Sequence, residues 1–136
     1  MKKIPILSFI FLLAVLNLSA CASTQADKIT IHTENGSIQN FESKEAALTK
    51  ADDISKLQNE LEKIHTEAKD SSQSQLVGAT AYTIELHKGD NLESIYSLYG
   101  KTLTYYSDPT SNKVKIYQLT NKQQKLLQEM LDDYLN

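Results

Sequence analysis

The apolar residues of this chain are shared so unevenly that they limit what can fold. Residues 4–20 are almost wholly apolar or small, and the rest of the 136-residue sequence is markedly polar. Setting residues 1–20 aside leaves 12 lysines against 17 acidic residues over 116 positions, a net charge of −5. That length supports one small domain, with a core assembled from sparse, regularly spaced apolar side chains. The sequence has no arginine, so no planar guanidinium is available to clamp a carboxylate or phosphate at two points. The acidic balance offers no basic excess to displace phosphate counterions, and nucleic acid is not an expected partner.

The first 21 residues read as an address. Met1-Lys2-Lys3 is a short cationic start, and the apolar run behind it is too short for a comfortable membrane span. The run closes on Leu18-Ser19-Ala20-Cys21. That tetrapeptide resembles the bacterial lipobox, in which an aliphatic residue and two small ones precede a cysteine. The resemblance implies cleavage between Ala20 and Cys21 and a diacylglyceryl group on the Cys21 thiol. Two acyl chains anchor a protein stably where one does not, at about 0.8 kcal/mol per buried methylene. The other reading is an ordinary secretory signal with an incidental cysteine. Cys21 is the only cysteine, so neither a disulfide nor a cysteine metal site can form within the domain. The arginine-free, lysine-rich composition is similar to that of proteins from AT-rich Gram-positive bacteria.

Beyond Cys21, residues 22–27 are small and polar and suit a tether. Ile29 and Ile31 alternate with threonines as in a half-buried strand, Glu34-Asn35-Gly36 signals a hairpin turn, and residues 38–41 suit the returning strand. Ser43 suits a helix N-cap. Ala47, Ala51, Ile54, Leu57, Leu61, Ile64 and Ala68 recur at spacings of three and four, which predicts one long helix over residues 44–69, unless Asp52-Asp53 breaks it. The seam is too rich in alanine for a coiled coil, so this helix is expected to pack on its own sheet. Tyr82, Ile84 and Leu86 alternate, and residues 103–106 and 114–119 are β-branched or aromatic around strong turn chemistry at Ser107 to Asn112. Thr120 with Gln123 makes a capping box for a last helix whose apolar stripe is Leu126, Leu127, Met130, Leu131, Tyr134 and Leu135.

Residues 90–100 admit two readings. Leu92, Ile95, Tyr96 and Tyr99 fit a helical face capped by Asp90 and ended by Gly100. With Tyr82-Thr83-Ile84 and Lys88-Gly89-Asp90-Asn91-Leu92 before them, these residues resemble the first half of a LysM domain. LysM is a βααβ module that binds N-acetylglucosamine-containing glycans such as peptidoglycan. The resemblance implies a glycan-binding loop at Gly89, Asp90 and Asn91. Two extra residues lie between Tyr82 and Gly89, and Lys101 to Tyr106 reads as strand where LysM has a second helix. The competing reading is a strand in a meander.

Other chemistry is sparse. Glu62-Lys63-Ile64-His65 has the Glu-x-x-His spacing of carboxylate-bridged di-iron bundles, but those need the motif twice, so a solvated helix face is expected. His32, His65 and His87 each read as the exposed face of their own element. No nucleophile elbow, zincin motif or phosphate-cradling glycine loop occurs, so no catalytic residues, cofactor or metal are expected. All seven tyrosines lie beyond residue 81 and serve an interface or a core equally well. The strand-to-helix run Tyr117 to Leu131 is similar to the ending of small uncharacterised Gram-positive lipoproteins.

The expected fold is therefore α+β, an antiparallel sheet packed against a long helix and a C-terminal helix. The expected layout is a signal peptide over residues 1–20, a lipidated tether over 21–27 and one extracytoplasmic domain over 28–136. The expected function is a non-enzymatic binding or protective module of the immunity or exclusion type. It would be held at the outer face of the cell membrane by lipid and bind an unidentified protein, peptide or cell-wall ligand. LysM-like peptidoglycan binding is one alternative. Release of a pheromone-like peptide from Leu13 to Ala20 is another. Cys21→Ser is expected to abolish incorporation of radiolabelled palmitate and to leave the protein released or uncleaved. Unchanged labelling would sink the lipobox reading.

Overall fold

The computed structural model describes residues 25–37, 40–70 and 81–136. Strand β1 (Lys28–Ser37) pairs antiparallel with β2 (Asn40–Leu48). Helix α1 (Ala51–Glu67) comes next, then a two-residue strand β3 (Lys69–Asp70). Strands β4 (Ala81–Lys88), β5 (Asn91–Tyr99), β6 (Thr102–Tyr106) and β7 (Lys115–Gln118) lead to helix α2 (Asn121–Leu135). All seven strands join one antiparallel sheet in the order β2-β1-β4-β5-β6-β7-β3. The chain is thus α+β, with the antiparallel sheet and the two helices that the sequence predicts.

That strand order makes a demand on α1. It leaves from beside one edge strand, β2, and arrives at the other, β3, so it must cross the whole sheet. A helix of 17 residues is about 25 Å long. Seven strands spaced about 4.8 Å apart span about 29 Å, so the helix and the sheet width match. Its buried stripe, Ile54, Leu57, Leu61 and Ile64, lies on the sheet's inner face. There Ile31, Ile84, Tyr96 and Tyr105 form one cross-strand row, and Tyr82, Leu98, Leu103 and Tyr117 form the next.

Helix α2 covers the same face. Its start is the expected capping box: the Gln123 amide donates to Thr120 Oγ1 at 3.2 Å, and the Thr120 amide donates to Gln123 Oε1 at 2.9 Å. Its far end is tied down by Tyr82, whose hydroxyl donates to Asp132 Oδ1 at 2.6 Å, and by Lys44 Nζ, which donates to Asn136 Oδ1 at 3.4 Å. Leu127 and Leu131 are fully buried, whereas Leu126, expected in the stripe, is exposed.

Two boundaries differ from the sequence reading and one open choice is decided, each because strand pairing outweighs local pattern. Residues 44–48 belong to β2, not to the helix: Ala46 and Leu48 pair with Ile31 and Ile29, giving them sheet neighbours that a helix would forfeit. The helix begins only at Ala51, where Asp52 and Asp53 place negative charge in the first turn against the helix dipole. Glu34-Asn35-Gly36, read as the first hairpin's turn, remain in β1, which pairs with β2 as far as Ser37 opposite Asn40; residues 38–39 lie outside the described residues. Residues 91–99 are strand β5, held between β4 and β6. The helical spacing of Leu92, Ile95, Tyr96 and Tyr99 loses to the alternation of Ser94, Tyr96 and Leu98, all buried on the inner face. Residues 103–106 are strand as expected, and the strand expected over 114–119 spans 115–118. Both central hairpins turn on two residues that start with a left-handed glycine, Gly89 at φ 58° and Gly100 at φ 56°.

Leu61→Ala or Leu127→Ala is expected to cost about 2–5 kcal/mol. Leu126→Ala should stay within about 0.5 kcal/mol, and Thr120→Ala should cost about 1 kcal/mol through the lost cap. Urea titration of the four proteins against wild type checks the set. Equal damage at Leu126 and Leu127 would mean that the phase of α2 is wrong.

Candidate functional site

The flank of α1 beside its apolar stripe carries Gln58, Glu62 and His65, one helical turn apart each. Opposite them the sheet supplies Leu86, Ser94, Tyr96 and Tyr105, with Ser107 just past β6 and Ala26 from the segment before β1. These residues line a cavity of about 400 Å³. Glu93 joins them through a β-bulge: β4 and β5 shift register between Leu86 and His87, so Leu86 faces Ser94 while His87 faces Leu92. Glu93 is left unpaired between them. The bulge therefore delivers two consecutive side chains, Glu93 and Ser94, to one cavity, which regular alternation forbids.

The cavity's inner wall is aromatic. His65 stacks on Tyr117 at 5.0 Å between ring centres and sits tilted against Tyr105 at 4.5 Å and Tyr96 at 5.4 Å. Tyr96 and Tyr105 are themselves 4.6 Å apart. Burial, and then the charge of Lys115, lower the His65 pKa, with Glu62 pulling the other way. Its Nε2 is buried with no hydrogen-bond partner among the described residues. Burial raises the hydroxyl pKa of Tyr96, Tyr105 and Tyr117, so all three are neutral phenols at ordinary pH. Gln58 is already committed: its Oε1 accepts from the Ala26 amide at 3.1 Å, and its Nε2 donates to Glu62 Oε1 at 3.3 Å. The site thus combines a neutral imidazole, neutral phenols and two carboxylates.

A second polar group lies on the sheet's other face. His32 sits with Nδ1 3.4 Å from Glu45 and Nε2 3.7 Å from Glu85, and His87 Nε2 is 3.4 Å from the same Glu85 oxygen. The hollow beside it, lined by His32, Glu45, Thr83 and Glu85 among others, has a volume of about 390 Å³. Among the described residues, no group of three or more His, Cys, Asp or Glu side chains is arranged to hold a metal ion.

The residues singled out in the sequence fare differently. Cys21 and Ala20 lie outside the described residues. Gly89 and Asp90 form the tip of the β4–β5 hairpin and Asn91 opens β5, with the Gly89 amide donating to Asp27 Oδ2 at 2.7 Å. Strands on either side of Gly100 stand where a LysM domain has its two helices, so the groove that the resemblance implies is not formed. His65 is not on a solvated face but half-buried against three tyrosines, and it shares the cavity with Glu62. His32 and His87, expected on separate elements, share Glu85 because β1 and β4 are neighbours. Sequence reasoning missed Gln58, Glu93, Tyr96 and Tyr105 as companions of Glu62 and His65. The spacing of positions 58, 62 and 65 was readable as one flank of a helix, whereas nothing in the sequence marks the bulge at Glu93.

Because burial lowers the His65 pKa, the unfolded chain takes up a proton there more readily than the folded one. Folding stability therefore rises with pH as His65 loses its proton, up to the ordinary value of 6.5. Wild type is expected to gain more stability than His65→Gln between about pH 5 and pH 7, measured by urea titration at each pH. Parallel profiles would show that His65 is not held neutral.

Compared with protein families, curated proteins and solved structures, the chain matches none of them.

Proposed function

We propose that this chain is an exported lipoprotein, held at the outer face of the cell membrane through Cys21, whose domain is a non-enzymatic binding module. Its ligand site is the cavity between α1 and strands β5 and β6. The observation that carries this reading is the cavity itself: about 400 Å³, walled by Tyr96, Tyr105 and His65, with polar groups at Glu62, Glu93 and Ser94. A concave site with a largely aromatic wall and a few placed polar groups is the usual form of a small-ligand pocket. A protective role rests on the same logic, with the domain intercepting a molecule near the bilayer.

The test is an amide chemical-shift map of the protein titrated with a low-molecular-mass extract of bacterial envelope. The expected shifts cluster at Gln58, Glu62, His65, Ser94, Tyr96 and Tyr105, and Tyr105→Ala weakens them at least about tenfold, a change of about 1.4 kcal/mol. Shifts confined to His32, Glu45 and Glu85, or to Gly89, Asp90 and Asn91, would move the site elsewhere and overturn the proposal.

A further inference from the structure

We infer that the cavity takes a small organic cation, an ammonium group carried on a compact apolar body. The inference rests on the reading of this cavity as the ligand site and adds the charge and class of what enters it. Every charged side chain lining the cavity is acidic, Glu62 from α1 and Glu93 from the bulge, and no lysine lines it. Two acidic side chains lining one concavity disfavour an anionic ligand there and favour a cationic one. Lys63 comes directly after Glu62 but points to solvent, and Lys115, the cation whose charge reaches His65, is exposed and outside the lining.

The hydrogen-bonding inventory points the same way. Carboxylate oxygens at Glu62 and Glu93 and hydroxyls at Ser94, Ser107, Tyr96 and Tyr105 can accept from an N–H group. The Gln58 side-chain amide gives one of its two N–H donors to Glu62. The carboxylates of Glu62 and Glu93 accept only, and an ammonium ligand supplies donors to them. The aromatic rings add the attraction of a cation for a π-face, which is strongest where water is excluded. The field of Glu62 reaches the phenols of both Tyr96 and Tyr105 and adds to the effect of burial in keeping them protonated. The volume is at the low end for ligand pockets and suits a body of one ring or a short chain.

Three probes with one ring and different charge test this: benzylammonium, benzyl alcohol and benzoate, titrated into the full chain in a mild nonionic detergent. Calorimetry gives the affinity and amide shifts give the place. Benzylammonium is expected to bind at least about tenfold more tightly than benzyl alcohol, with shifts at Glu62, His65, Ser94, Tyr96 and Tyr105, and benzoate is expected not to bind. Glu62→Gln with Glu93→Gln should reduce the cation to the affinity of the alcohol, while the thermal midpoint stays at the wild-type value. Alcohol or benzoate binding as tightly as the cation at those amides would overturn the cation while leaving the cavity as the site. Silence at those amides with all three probes would overturn both. The source of the amine is read from vesicles. Displacement of benzylammonium by phosphatidylethanolamine but not by phosphatidylglycerol assigns a lipid headgroup, and displacement by neither assigns a free amine.

Discussion

The seam between α1 and the sheet is the contact that every other feature leans on. Its four buried apolar residues, Ile54, Leu57, Leu61 and Ile64, are the link between an edge hairpin and the opposite edge strand. A helix two turns shorter could not reach β3 from β2, and β7 would then lose its outer neighbour. The same seam fixes the height at which Gln58, Glu62 and His65 hang over β5 and β6. The core and the cavity are two sides of one packing contact. Burial at Leu57 and Leu61 holds in place the polar flank that would otherwise turn to water.

Much of this architecture is legible in the sequence alone. The alternation of Tyr82, Ile84 and Leu86, the turn residues at Gly89 and the Thr120–Gln123 capping box each have a local physical cause, and each appears where that cause places it. The features that are not legible depend on neighbours far along the chain. Ala46 and Leu48 fit a helix by spacing and become strand only because Ile31 and Ile29 are there to pair with them. Leu92 to Tyr99 has a helical face and a strand face in the same letters, and the two flanking strands choose between them.

The cavity shows the same division. Its helical half could be read from positions 58, 62 and 65, but its sheet half could not. The bulge at Glu93 is a one-residue slip between β4 and β5, invisible without knowing the register. The clustering of tyrosines beyond residue 81 was visible, yet which three would meet around His65 depends on Tyr96 facing Tyr105 and on Tyr117 lying in the next row. His65 itself read as solvated because its own helix gave it polar neighbours, and the sheet supplied the aromatic ones.

Residues 25–27, which by composition belong to a loose tether, are fastened down. The Ala26 amide is held by Gln58, the Asp27 amide donates to the His87 carbonyl at 3.0 Å, and Lys88 Nζ donates to the Gln25 carbonyl at 3.0 Å. Were Cys21 lipidated as proposed, the chain could place at most about 14 Å between it and Gln25. That is about half the width of the sheet. A domain on so short a lead could not roam or turn over freely above the bilayer. Since Ala26 is also part of the cavity wall, the opening would be kept within reach of the headgroup layer. What the pocket samples would then be set less by bulk concentration than by what gathers at the membrane surface.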